Sequence, residues 1–223
     1  MRRGIIDDVT DTVEAFSGAN GVRGGDVDIF GWGGRIVLDL RDDPAIPNDG
    51  LLAEGWVEFS ARGVISDSRY ERWGASIVHH LPIERPGRFV HVTRARYSAI
   101  DGDDRFPFWE LPTLGGAENL RGFGVGRFTN TQYFVAGVEE RVRIQELTIA
   151  DNPMIMELAP FLDIGRVFGH DDPLDHRRWQ VVPGIGGRLL LPDSAIVARL
   201  DIGFPLRALD EGPAVFITLG YPF

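Results

Sequence analysis

From about residue 33 to the C-terminus, apolar and polar side chains alternate with a period of two. In GRIVLDLRD (34–42), Ile36, Leu38 and Leu40 alternate with Arg35, Val37, Asp39 and Arg41. In YFVAGVEERVRIQ (133–145), Phe134, Ala136, Val138, Val142 and Ile144 oppose Tyr133, Gly137, Glu139, Arg141, Arg143 and Gln145. In AIVARLDIGFPL (195–206), Ile196, Ala198, Leu200, Ile202, Phe204 and Leu206 oppose Val197, Arg199, Asp201 and Gly203. The last run, AVFITLGYPF, sets Val215, Ile217, Leu219, Tyr221 and Phe223 on one side. Successive side chains of a β-strand point to opposite faces, so this period predicts strands. The segments DDPAIPNDG, VISDS, IERPG, IDGDD, ADNP, GHDDPLDH, LPDS and ALDEGP separate the runs and carry turn chemistry. The spacing predicts about ten strands of roughly eight to thirteen residues in consecutive hairpins. Residues 1–32 are poorly patterned, although Ile5, Ile6, Val9, Val13 and Phe16 are spaced to line one short helix face. The chain thus divides into an N-terminal segment, 1–32, and an all-β domain, 33–223.

Which face meets solvent decides the class. Alternation ordinarily means one face on a core and one in water. Here the polar faces hold Arg beside Asp or Glu, with Gly and Tyr, while the other faces are Leu, Ile, Val, Ala and Phe almost throughout. The runs approach the ~9–11 residues with which a tilted strand crosses a bilayer. Aromatics gather near run ends: Trp32, Tyr70, Trp73, Phe106, Phe108, Trp109, Tyr133, Trp179 and Tyr221. Such a distribution fits the interfacial girdles of membrane barrels. In hydrocarbon every backbone N–H and C=O must pair within the protein, and closing the sheet removes unpaired edges. The pattern favours an antiparallel up-and-down transmembrane β-barrel, apolar side outward. A soluble β-sandwich or apolar-ligand carrier is the alternative.

Composition changes the picture in three ways. Mean hydropathy is −0.07 although 43% of the 223 residues are hydrophobic, as expected when half of every strand faces a wet lumen. No Cys is present, which excludes disulfides and thiolate metal sites. A net charge of −10 argues against nucleic acid and against electrostatic docking on anionic lipid. All 23 basic residues are Arg, the better partner for buried or bidentate carboxylates. The N-terminus MRRGIIDDVTDTVEAF has no apolar stretch of the kind a secretory signal needs.

Candidate chemistry is sparse. His170, Asp171, Asp172, Asp175 and His176 share a turn segment and read as a polar hairpin loop rather than a metal site. His79 and His80 are adjacent, so in a strand they point apart. DGDD (101–104) lacks calcium-loop spacing. GFGVG (122–126) precedes a strand, so no helix N-terminus awaits a phosphate. No metal, cofactor or catalysis is expected. What stands out is GGAENLRGFGVGRF (115–128), a glycine-dense connector that also carries Arg121, Phe123 and Phe128.

That connector belongs to a longer resemblance. FPFWELPTLGGAENLRGFGVGRF (106–128) resembles the signature of the bacterial surface antigen family, the BamA/TamA-type outer-membrane barrels. There a strand carrying P-F-[YW]-E leads into G-G-x-x-x-[VL]-R-G-[FY]. Pro107, Phe108, Trp109, Glu110, Gly115, Gly116, Leu120, Arg121, Gly122 and Phe123 stand where that pattern wants them. LDLRDDPAIPNDG (38–50) resembles the family's Y-D-x-R-D-x-P-x-x-P-x-x-G hairpin, with Leu38 in place of the aromatic. APFLDIGRVF (159–168) resembles its F-x-D-x-G-x-V-[FW] strand, and GIGGRLLLP (184–192) and ARLDIGFPL (198–206) resemble its last strands.

The resemblance implies a Gram-negative-type outer membrane and a barrel of sixteen strands, of which this chain supplies the C-terminal part. It implies that the glycine-rich loop folds back into the lumen, where Arg121 pairs with Asp163 as first choice or Glu139 as second. Phe161 and Gly165 share the Asp163 face, and Phe123 gives the loop tip an apolar footing. Tyr221 and Phe223 resemble the terminal signal read by the assembly machinery. The implied partners are outer-membrane lipid and unfolded β-barrel client polypeptides, together with further N-terminal strands and POTRA-like modules if the chain is a fragment. The implied activity is insertion of β-barrel proteins, or translocation of polypeptides, without a cofactor; the alternatives are a passive pore and an inactive fragment.

Overall fold

The computed structural model describes residues 2–4, 27–63, 66–84, 88–102, 107–149, 152–169, 179–207 and 212–222. The expected helix face of 5–16, Phe106, the 170–176 cluster and Phe223 lie outside these described residues. In chain order the strands are β1 (Arg2–Gly4), β2 (Val27–Ile29), β3 (Gly31–Asp39), β4 (Gly50–Ser60), β5 (Tyr70–Glu84), β6 (Phe89–Gly102) and β7 (Thr113–Leu114). They continue with β8 (Phe128–Thr129), β9 (Gln132–Ile149), β10 (Asn152–Phe168), β11 (Gln180–Leu191), β12 (Ile196–Gly203) and β13 (Ala214–Leu219). Nine of them form one sheet in the order β3-β4-β5-β6-β9-β10-β11-β12-β13. Every pairing in it is antiparallel, and β1-β2 and β7-β8 are separate short pairs.

The fold is therefore the expected all-β up-and-down sheet, with nine strands in the main sheet among the described residues where about ten were expected. The resemblance also puts PFWE on a strand, and there the structure differs. Instead of a strand, Phe108–Glu110 form a 3-10 turn entered from extended Pro107. Pro107 and Pro112 bracket this segment and offer no N–H to a ladder. The buried Glu110 instead turns onto Arg72 of β5, 3.1 Å away.

The sheet is inside out relative to a soluble protein. Along β12, Val197, Arg199, Asp201 and Gly203 are buried, while Ile196 and Leu200 are exposed. Along β10, Glu157, Phe161, Asp163 and Gly165 are buried between exposed Met156, Leu158 and Leu162. Ile217 and Leu219 of β13 are 81% and 77% exposed, whereas Glu139, Asp163 and Asp201 are fully buried. In water this arrangement would forgo roughly 25 cal/mol for each Å² of apolar surface left outside. Facing hydrocarbon, it leaves nothing apolar in water and keeps the charges paired within. The soluble sandwich is excluded on this ground.

The aromatic girdle is only partly as read. Trp32 and Trp73 point outward near one rim, and Trp32 stacks on Phe59 with centroids 5.2 Å apart. Tyr70 and Tyr133, in contrast, are buried against inward-facing groups. Tyr221 leaves the outward row of β13 because Gly220, at φ +83°, reverses the chain and turns the ring inward. The pattern gave these tyrosines to the interface because proximity to a strand end does not encode direction.

The outer strands β3 and β13 are edges. With an odd number of antiparallel strands between and including them, they run in the same direction.

Candidate functional site

The connector from β6 to β9 folds back inside the curve of the sheet. Gly116 N–H donates to the Phe123 carbonyl at 2.8 Å and Phe123 N–H to that of Leu120 at 3.2 Å, which closes the loop on itself. Leu114, Leu120 and Phe123 then pack with Tyr133, Val135, Phe161 and Val182 of the wall. Phe128 meets Phe123 edge-on, with centroids 4.8 Å apart. This cluster is the only sizeable apolar packing on the inward side of β9–β11 among the described residues, and the loop supplies much of it.

The apolar footing positions Arg121, which is fully buried. Its Nε donates to Asp163 Oδ2 at 2.8 Å and its Nη2 to Asp163 Oδ1 at 3.0 Å, a bidentate pair. Its Nη1 donates to Glu139 Oε2 at 2.5 Å. The guanidinium also lies 3.6 Å from the Phe161 ring centroid. Asp163 and Glu139 thus share one cation, on adjacent strands β10 and β9. Gly165, on the Asp163 face, lies against Leu114 of the loop rather than Arg121.

The network runs wider than these residues. Asp163 also receives Arg94 of β6 at 2.9 Å, and Glu139 receives Arg188 of β11 at 3.1 Å. Arg188 continues to Asp201 of β12 at 2.7 Å, and Arg199 lies 3.3 Å from Asp201 and 2.6 Å from Glu118 of the loop. Positive and negative groups therefore alternate along a chain of contacts that spans five strands and includes Arg121 of the loop. Arg94 binds the loop backbone as well, donating to the carbonyls of Glu118 (2.8 Å) and Asn119. Arg94, Arg188, Arg199 and Asp201 were not among the residues singled out from sequence. The signal existed, since each occupies a polar position in an alternating run, but nothing there shows which polar positions converge.

One glycine sets how closely the loop approaches. A Cβ on Gly203 would lie 2.2 Å from the Arg121 carbonyl oxygen and 2.7 Å from its carbon. Backbone cannot swing aside as a side chain can, so Gly203→Ala is expected to push the loop off the wall at a cost of about 1–3 kcal/mol. Limited proteolysis between 115 and 127 reads this directly. A loop as protected in the variant as in the parent would show that the contact yields.

Among the described residues, no three His, Cys, Asp or Glu side chains converge as metal ligands. His79 and His80 face opposite sides of β5, His80 fully buried. The loop is plugged into the wall by charge pairs and rings.

Comparison with known proteins agrees with this geometry. Residues 6–213 match the Omp85 superfamily domain. The fold is similar to a crystal structure of BamA from Haemophilus ducreyi lacking POTRA domains 1-3, with a TM-score of 0.64 at 17% identity. That similarity covers 86% of this chain but 41% of that one, so the chain spans less than half of the protein it matches. The inside-out sheet, the inward loop and the match over nearly the whole length lead to one assignment: the chain belongs to the Omp85 superfamily and forms the C-terminal part of a BamA/TamA-type outer-membrane β-barrel.

Proposed function

We propose that the protein inserts β-barrel proteins into, or moves polypeptides across, the outer membrane of a Gram-negative-type bacterium. The observation that carries this reading is the asymmetry of the sheet. The strands β6 and β9–β12 are tied together through the Arg121 loop, whereas the last strand, β13, pairs with β12 alone among the described residues and bears exposed Val215, Ile217 and Leu219. An edge strand presents unpaired N–H and C=O groups, on which an extended client segment adds by β-augmentation. A braced wall keeps the rest of the barrel intact while the edge exchanges partners. Arg121, Leu120, Gly122 and Phe123 serve as the brace, and Asp163, Glu139 and Phe161 as its seat.

A passive pore is the second reading. It draws support from the inner wall of β3–β6, where Gly31, Gly33, Arg35, Glu54, Trp56 and Arg96 line an open groove. Liposomes separate the two. Reconstituted full-length protein is expected to speed folding of an unfolded client barrel several-fold over protein-free vesicles. Ion leak without any acceleration of client folding would favour the pore.

A further inference from the structure

The hairpin between β3 and β4 is longer than a turn needs. Two to five residues suffice to join antiparallel strands, yet 40–49 intervene here. They are also built to a fixed shape. Asp42 Oδ1 accepts the backbone N–H of Asp43 (3.0 Å), Asn48 (2.9 Å) and Asp49 (3.1 Å). Asp43 Oδ1 accepts those of Ala45 (2.7 Å) and Ile46 (2.8 Å). Arg41 grips the Asp39 carboxylate at 2.9 and 2.7 Å and donates to the Pro44 carbonyl at 3.2 Å. Burial pushes the Asp42 carboxyl up, but its three backbone donors outweigh this and hold it below the usual carboxylate range. The knot is thus held by an ionised group at neutral pH.

This preformed hairpin turns into the lumen. The Pro47 carbonyl accepts from Arg141 Nη1 at 3.4 Å, and Asn48 Oδ1 accepts from Arg143 Nη2 at 2.8 Å, both on β9. Asn48 Nδ2 donates to the Ile46 carbonyl at 3.1 Å, which fixes the amide with its oxygen toward Arg143. The same two arginines reach the other end of the sheet. Arg141 stacks 3.6 Å from the centroid of Tyr221, whose hydroxyl donates to Glu157 at 2.9 Å, and Arg143 Nε donates to Glu157 at 3.3 Å. Between hairpin and final strands remains a cleft of about 400 Å³, with Pro44, Ala45 and Pro47 on one side and Ile196, Leu219 and Tyr221 on the other. Residue His80, opposite Gly50 at the base of the hairpin, is fully buried with neither ring nitrogen hydrogen-bonded.

The register places this hairpin at the mouth opposite the Arg121 loop. Gly50 pairs with His80 and His80 with Val92, while Ser60 pairs with Tyr70 and Tyr70 with Gly102, where the Arg121 connector departs. The barrel segment therefore carries one inward loop at each end. We propose that the 40–49 hairpin is an internal latch, which seals its mouth of the lumen and ties the first strands of the sheet to the last through Arg141, Arg143 and Tyr221. Release of the latch opens that mouth and frees the β3–β4 end from the β13 end. The latch requires no client polypeptide, so its test is independent of the insertion role.

The chain contains no Cys, so single cysteines report cleanly. In the full-length protein in detergent, His80→Cys is expected to react slowly with a water-soluble maleimide. Adding Asn48→Ala, or replacing 44–48 by Gly-Gly, is expected to raise that rate about tenfold, the effect of losing one hydrogen bond to a charged group. In planar bilayers the same changes raise ion conductance. In the Asn48→Ala protein, a short bis-maleimide joining Ala45→Cys to Ala195→Cys across the cleft lowers it again. Equal labelling rates and equal conductance with the hairpin intact and altered would overturn the proposal. If the shortened hairpin fails to fold, shown by loss of the compact band in unheated gels, Asn48→Ala decides the outcome alone.

Discussion

Arg121→Ala is expected to lower the stability of the folded barrel by about 3–5 kcal/mol, the usual cost of removing one partner from a buried ion pair. The magnitude follows from what is left behind. Asp163 Oδ1 keeps Arg94 and Glu139 Oε2 keeps Arg188, but Asp163 Oδ2 keeps only the residue-121 backbone N–H at 3.3 Å, and two buried carboxylates lose the cation they share. Buried charges left with less compensation carry a desolvation cost that their pairing had offset. Arg121→Lys is expected to recover little, because an ammonium is a point charge and cannot span Asp163 and Glu139 as the planar fork does. The measurement is the temperature at which the compact gel band is lost, expected to fall by about 10 °C. Protease access to 115–127 should rise in parallel. An unchanged melting temperature together with unchanged protection would mean that Arg121 does not hold the loop.

The second large effect concerns the outward face. Leu162→Arg is expected to destabilise the barrel in lipid by about 2–4 kcal/mol, because a cation near the bilayer midplane loses its hydration. Leu162 is 44% exposed, in the middle of β10, and pairs with Val138 and Pro183 on the same face. On a soluble protein the same change at so exposed a position would be worth within about ±0.5 kcal/mol. Denaturant titration in vesicles measures the difference. A near-neutral result would remove lipid from this face and with it the membrane-spanning reading. Arg199→Leu on β12 makes the opposite exchange, an apolar side chain in the charged interior. It is expected to destabilise as well, by removing the cation nearest to buried Asp201 Oδ2 while Arg188 stays on Oδ1.

The strands were legible because period two is a local property. Ile196, Leu200 and Ile202 against Arg199 and Asp201 state both an element and its two faces, and the register keeps them so. The Arg121 loop was legible for a different reason: GGAENLRGF matches the family's motif, and the resemblance, not the residues alone, implies a loop folded into the lumen. Other features were not legible. PFWE read as a strand because its prolines were weighed as motif rather than as missing donors. Tyr221 read as an outward aromatic because alternation was carried past Gly220, where a positive φ ends it. The 40–49 hairpin read only as a turn, with no direction, since Asp, Pro and Asn favour turns whether the turn faces water or a lumen.

By itself, the sequence determined the strands, the segregation of apolar from charged faces, and a glycine-dense connector that carries Arg121 and two large rings, Phe123 and Phe128. Each is encoded within a few residues, where backbone geometry is fixed by chirality and side-chain spacing. The tertiary structure alone decided which charges meet. Arg94, Glu139, Asp163, Arg188 and Asp201 are tens of residues apart in the chain, and only the sheet register and the return of two loops into the lumen bring them within hydrogen-bonding distance.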